Sequence, residues 1–254
     1  MASPKTEMLY GFHPVHEALR AKRRKIQEVF LRRERRDARM QALRRLASTQ
    51  GIALREVDER QLLDLAGHAG HQGVCARTGP FPYCPLSEIT GSLNPTRPRP
   101  FVLLLDHLQD PHNLGAVIRT AYCAGADGVV LPQDRAAAPH PSVSKASAGA
   151  LEHMPVARVP NLVHAMQQLK KNGLWMVGLD ETAAPSLFAC DLKISLGLIV
   201  GGEEKGLRML VKRHCDFLVS IPHARPFNSL NASVAAALAI FEAYRQRSQT
   251  DGDV

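Results

Sequence analysis

No stretch of the 254-residue chain approaches the apolar length, ~20 residues, of a membrane-spanning helix. The opening residues MASPKTEMLYGFHP lack the apolar segment of a secretory leader, so a cytoplasmic protein with no membrane partner is expected. Cysteines are few and scattered: Cys75, Cys84, Cys123, Cys190 and Cys215 are odd in number and never form Cys-x-x-Cys. That pattern excludes a disulfide framework and a zinc knuckle and leaves reduced, mostly buried thiols. The eleven histidines offer no metal set either, because His13/His16 and His68/His71 lack a third ligand nearby, and no metal is expected. Also missing are a Walker Gly-Lys-Ser/Thr loop and the G-x-G-x-x-G fingerprint, which speaks against a nicotinamide-dependent oxidoreductase.

Acidic residues are the scarcer sign of charge: 24 Asp and Glu stand against 32 Lys and Arg, giving a net +8 and a pI near 9.5. The excess is local. Between Arg20 and Arg45 lie 12 basic residues against Glu28, Glu34 and Asp37, so this segment carries +9 and the remainder −1. A near-neutral protein with one basic patch points to a polyanion; the plain alternative is a solvated helix face. Arg32, Arg33, Arg35, Arg36 and Arg39 are the candidate contacts. The hydrophobic fraction, 45%, is enough for a core in one large domain or two modest ones.

Prolines 80, 82, 85, 95, 98 and 100 crowd the stretch from Gly79 to Pro100, where neither a helix nor a central strand is sustained. This predicts a linker over 79–100, a small α/β domain over 1–78, a larger domain over 101–247 and a tail over 248–254. In the first domain, strands are expected at Ile26–Leu31, Ile52–Val57 and Gly73–Ala76, with helices at Arg35–Gln50 and Glu59–Ala66. In the second, short apolar strands (Phe101–Leu105, Gly128–Leu131, Leu174–Leu179, Leu196–Val200, Phe217–Ile221) alternate with helices at Asn113–Ala124, Asn161–Lys171 and Leu230–Arg245. That alternation predicts an α/β fold with a mostly parallel sheet covered on both faces. Ligands on such sheets bind beyond the carboxyl ends of strands, so the loops after Leu105, Val200 and Ile221 are the ones to inspect.

After Leu105 comes Asp110-Pro111-His112-Asn113-Leu114-Gly115, then Arg119-Thr120-Ala121 in an otherwise apolar helix. Asn113 either caps that helix or bonds across the loop, and Arg119 requires a cleft, an anion or a structural carboxylate. After Val200 comes Gly201-Gly202-Glu203-Glu204-Lys205-Gly206, whose glycines permit close backbone approach. After Ile221-Pro222 comes Ser229-Leu230-Asn231-Ala232-Ser233, a polar cap on an alanine-rich helix.

Taken in order, Asn113-x-Gly115-x-x-x-Arg119-Thr120-Ala121, Gly201-x-Glu203 and Ile221-Pro222…Ser229-Leu230-Asn231-x-Ser233 resemble the three motifs of the SpoU/TrmH family of RNA 2′-O-ribose methyltransferases, in the SPOUT superfamily. The resemblance spans about 145 residues, Phe101 to Arg245. Tyr10-Gly11-Phe12-His13-Pro14-Val15-His16-Glu17-Ala18-Leu19 and His71-Gln72-Gly73-Val74 resemble the small RNA-binding domain of the bacterial 23S rRNA guanosine 2′-O-methyltransferase subfamily.

The resemblance implies a deep trefoil knot in the last strands and helix, with S-adenosylmethionine held by backbone around Gly201, Ile221 and Leu230. It implies a homodimer through the alanine-rich face of the C-terminal helix (Ala232, Ala235–Ala237, Ala239, Ala243), for which intrachain packing is the alternative. The reaction would be methylation of a ribose, of a guanosine in 23S rRNA, with Arg119, Asn113, Glu203, Ser229 and Asn231 as the site residues. Arg119 would either accept the hydroxyl proton or grip phosphate and orient the hydroxyl. Glu203 would orient Arg119 or Asn113. The chain departs from the family pattern at Glu204, where glycine is usual, and at His223, Arg225 and Phe227, which replace Met, Gly and Val; Arg225 becomes an RNA-contact candidate. A tRNA substrate, or a catalytically weak ribosome-assembly factor on the same scaffold, are the competing readings.

Overall fold

A computed structural model describes residues 6–33, 35, 37–67, 69–91, 99–225 and 229–248. Arg36, Phe227, the middle of the expected linker and nearly all of the expected tail lie outside these residues. The first half of the chain contains β1 (Glu7–Tyr10), α1 (Phe12–Ala21), β2 (Ile26–Arg32), α2 (Ala38–Thr49), β3 (Ala53–Val57), α3 (Glu59–Ala66), β4 (Val74–Thr78) and α4 (Leu86–Gly91). Next come β5 (Phe101–Asp106), α5 (Pro111–Cys123), β6 (Gly128–Pro132), α6 (Pro141–Ala146), β7 (Val156–Val159) and α7 (Leu162–Lys171). The chain then forms β8 (Trp175–Leu179), β9 (Leu196–Gly201), α8 (Met209–His214), β10 (Phe217–Val219) and α9 (Ala232–Ser248).

The elements form two compact units, 1–82 with 138–153, and 83–137 with 154–254. In the first, β4 runs antiparallel to β1 and β2, and β3 pairs parallel with β2. Strand alternation splits its core in two. Val29 and Leu31 of β2 join Leu9, Val15, Leu19, Met40 and Leu43 under α1 and α2, while Phe30 meets Val57, Leu62 and Cys75 under α3. Asp37 starts α2 by accepting the Met40 N–H, and Asp58 with Gln61 forms a capping box at α3.

Two expectations are corrected here. The described part of the proline-rich stretch is tied to the folded units at both of its ends: Phe81 is buried in the first unit. In the second, Cys84 pairs with Ala157 as an isolated bridge, and α4 buries Ile89 completely. Residues 138–153, expected in the C-terminal domain, belong to the first unit. The reason is electrostatic: Arg24, its side chain fully buried, donates to Glu152 at 3.0 Å and is also paired with Glu7. A buried guanidinium requires such partners, and Glu152 comes from far along the sequence. Arg24 is therefore structural and leaves the basic patch. The thiols are less uniformly buried than expected: Cys75 and Cys84 are buried, Cys190 and Cys215 partly so, and Cys123 is exposed.

The second unit is a six-stranded, all-parallel sheet in the order β10-β8-β9-β5-β6-β7. Strands β5, β6 and β9 are buried along their whole length, as continuous apolar runs under helices on both faces predict. Val102, Leu104, Val130, Met166, Met176 and Ile199 fill one face, with α4, α7 and α8 over them; α5 and α9 pack together. The order reverses between β5 and β9, which places the loops after these strands side by side. Among the described residues no helix is long and apolar enough to cross a membrane.

Candidate functional site

Asp106 pairs in register with Gly201, so the segments 106–113 and 201–208 leave the sheet together. The second segment doubles back: Gly206 N–H donates to the Gly202 carbonyl at 3.1 Å. A Cβ on Gly201 would lie 2.1 Å from the Gly206 carbonyl carbon and 2.4 Å from the Leu207 nitrogen, so only glycine fits this close approach. Gly206 is glycine for another reason, a φ of +59°. The buried Asp106 carboxylate pins the far end of the loop, accepting from Arg208 N at 2.9 Å and Arg208 Nε at 2.7 Å.

Glu203 reaches back to the start of α5. Its carboxylate accepts from Asn113 Nδ2 at 2.9 Å, Gln109 N at 3.2 Å and Asp110 N at 3.3 Å. Partial burial pushes its pKa up, but the bond from Asn113 and the backbone donors outweigh that and hold the carboxyl below its ordinary value. A carboxylate at the N-terminus of α5 is also stabilised by the helix dipole. The cap of that helix is Asp110, which accepts from His112 N, so Asn113 makes the bond across the loop instead. Glu203 thus orients Asn113. Arg119 lies on the exposed side of α5 and, among the described residues, its guanidinium pairs with neither Glu203 nor any other carboxylate.

Between the ends of β8, β9 and β10 and the start of α9 lies a cavity of about 260 Å³. Gly201, Ile221 and Leu230 line it, together with Glu203, Glu204, His223 and Ser229; Arg119, Asn113 and Asn231 do not. Its wall also includes Asp180, Thr182 and Lys212, absent from the candidate residues. The Asp180 carboxylate bonds Lys212 Nζ at 2.5 Å and accepts from the Thr182 amide and hydroxyl at 2.9 and 2.8 Å. Burial raises its pKa, yet the Lys212 and Thr182 bonds overcome this and hold it low. The signal was available, because Asp180 directly follows a strand end, the same rule that singled out the other three loops. The lining offers carboxylates, ammonium groups and exposed loop backbone together, a set suited to a ligand carrying both signs of charge.

Asn231 takes the bland role of a turn residue, accepting from Ser233 N and Oγ at 2.9 and 2.6 Å. Of the alanines of α9, Ala236, Ala239 and Ala243 are buried within the chain, while Ala232, Ala235 and Ala237 are only partly buried. The exposed face instead carries Val234, Leu238, Phe241 and Tyr244. In the first unit Arg33 and Arg39 are exposed, whereas Arg32 pairs with Glu59 at 2.9 Å and Arg35 with Asp37 at 2.8 Å. Arg225 is exposed.

Residues 100–241 match the model of the SpoU rRNA methylase family, and residues 8–84 match that of the RNA 2′-O ribose methyltransferase substrate-binding domain. The chain is 38% identical to the 23S rRNA (guanosine-2′-O-)-methyltransferase RlmB of Escherichia coli K12, over 96% of this chain and all of that one. It is 41% identical to an uncharacterized tRNA/rRNA methyltransferase of Synechocystis over 95% of its length, spanning 63% of that longer relative. Its structure is similar to that of the SpoU methyltransferase AviRb from Streptomyces viridochromogenes in complex with AdoMet. The TM-score is 0.80 at 27% identity, over 95% of this chain and 90% of the other.

Proposed function

The chain belongs to the SpoU rRNA methylase family, and from that premise we propose that it methylates the 2′-hydroxyl of a guanosine ribose in 23S ribosomal RNA. S-adenosylmethionine is the methyl donor; when bound, it supplies a methyl group already activated by its sulfonium. The observation that carries the reading is the cavity beyond β8, β9 and β10, where all three candidate cofactor residues converge. Gly201, Ile221 and Leu230 hold the cofactor through backbone and apolar contact. Glu181, Glu203 and Glu204 suit its cationic groups, and Lys205 or Lys212 its carboxylate.

The remaining work falls to positioning. Glu203 locks Asn113 and the start of α5. Arg119, free of any carboxylate among the described residues, grips RNA phosphate and orients the hydroxyl; a guanidinium suits gripping an anion better than accepting a proton. Ser229 shapes the cavity mouth. Arg33, Arg39 and Arg225, exposed and basic, join the RNA contacts. The reading includes a deep trefoil knot in the last strands and helix, as membership of the SpoU family implies. It includes a homodimer through the exposed apolar stripe of α9, and a cytoplasmic location with ribosomal RNA, as 23S rRNA or a large-subunit precursor, as target.

The test is incubation with methyl-labelled S-adenosylmethionine and 23S rRNA lacking the modification, followed by mapping of 2′-O-methyl groups. Label on a single guanosine ribose is expected; no label on any ribose overturns the reading.

A further inference from the structure

The segments 10–16 and 71–74, far apart in sequence, meet at the start of α1. Gly11 N–H donates to the Val74 carbonyl at 3.0 Å, and Phe12 N–H to Gln72 Oε1 at 3.2 Å. Gln72 and Gly73 are consecutive left-handed residues, with φ of +53° and +79°. The turn they make presents the Gln72 carbonyl to Arg35 Nη1 at 2.5 Å. Phe12 stacks on His16 with ring centroids 5.2 Å apart and 25° between planes, and the Arg39 guanidinium lies 5.6 Å over the Phe12 ring.

Into this place reaches a side chain from elsewhere in the chain. Lys145 of α6 runs across Gly11 so closely that a Cβ there would lie 2.5 Å from its Nζ and 3.2 Å from its Cδ. Among the described residues no carboxylate pairs with Lys145. Acids of this unit are engaged elsewhere: Glu17 by His16, His153 and Arg20, Asp37 by Arg35, and Glu152 by Arg24. Burial pushes the Lys145 ammonium below its ordinary pKa, consistent with a cation that lacks a counter-ion. Three cations with one carboxylate among them, beside a stacked aromatic pair, leave this place with net positive charge.

We propose that Lys145, Arg39 and the Phe12–His16 stack form a binding site for unpaired RNA, with a phosphodiester at Lys145 and its base against the rings. The choice of RNA rests on the methyltransferase reading; the excess of positive charge there does not. Single-stranded RNA fits because a ring with a neighbouring cation is the usual platform for an unstacked base, and the phosphate supplies the missing charge. Lys145 lies within the part of the sequence that matches the methylase family, yet it folds into the other unit, so it belongs to no basic run in the sequence.

The test uses the full chain with unmodified 23S rRNA and with a single-stranded twelve-nucleotide RNA. Lys145→Met is expected to weaken both about five- to tenfold and to reduce the salt slope by roughly 0.7–0.9, the loss of one phosphate contact. Lys145→Arg restores both, and S-adenosylmethionine binding is unchanged in all variants. Phe12→Leu weakens binding without changing the slope. In the wild-type protein, RNA shields Lys145 from acetic anhydride, a readout that requires no variant to fold. Wild-type affinity and slope in Lys145→Met, or acetylation of Lys145 undiminished by RNA, overturns the proposal. Absence of methyl transfer with these RNA results intact counts against the enzymatic reading alone.

Discussion

Replacing Gly201 with alanine places a methyl group 2.1 Å from one backbone atom and 2.4 Å from another, where ordinary contact begins near 3.4 Å. Neither neighbour is the tip of a flexible side chain, so the 201–207 loop must open by more than about 1 Å. Overpacking of this kind costs about 3 kcal/mol at the upper end of its usual range. For a protein of this size that lowers Tm by roughly 6–12 °C. The displaced loop forms the cavity wall, and a loss of about 2 kcal/mol in cofactor binding is a ~30-fold weaker Kd. Gly206 supplies the control, because nothing lies within 4 Å of its Cβ position and only its positive φ is demanding. Gly206→Asn is expected to be nearly silent and Gly206→Ala to cost about 1 kcal/mol. Calorimetric titration with S-adenosylmethionine and thermal unfolding decide the matter. Gly201→Ala with a Kd within twofold and a Tm within a degree of wild type refutes the steric argument.

Arg119→Ala is expected to lower methyl transfer about 10²-fold through lost positioning while S-adenosylmethionine binding stays within a few fold; near-normal turnover removes Arg119 from the site. Glu203→Gln loses stability at neutral pH because the native carboxylate is held below its ordinary value of 4.5. That advantage is present above the unfolded pKa and disappears as pH falls through the folded one, so the gap between variant and wild type narrows below about pH 4.5. Denaturant melts at pH 7 and pH 3.5 check this, and a gap independent of pH contradicts it. Leu238→Asp with Phe241→Asp is expected to give a monomer in sedimentation at micromolar concentration, and an unchanged sedimentation coefficient sinks the proposed interface.

The parts of the fold legible in the sequence are those governed by local rules. Continuous apolar runs marked β5 and β9 because they are buried on both faces, and the periodicity of Glu59–Ala66 matched α3. The loops after β5, β9 and β10 followed from the parallel-sheet rule, and two of them supply cavity residues. What escaped depends on partners distant in sequence. Arg24 counts as one more positive charge until Glu152, 128 residues on, is placed beside it. The alanines of α9 could have faced a second chain or α5, and nothing in their spacing distinguishes the two. Asn113 illustrates the middle case: both its roles were foreseeable, and Asp110 taking the cap decided between them.

The segment 138–153 also sets the order in which the protein can assemble. Unit one remains unfinished when Pro82 leaves the ribosome, because Glu152 and Lys145 are still to be made. At ~5–20 residues per second, the roughly 70 intervening residues take on the order of 4–14 s to appear. Throughout that interval Glu7 is the one of its two carboxylate partners among the described residues that Arg24 has. The nascent N-terminal half is thus held short of its native state until much of the parallel sheet has been synthesised. A ribosome-stalled chain ending before residue 138 is therefore expected to be protease-sensitive over α1 and β2, and one extended well beyond residue 153 protected.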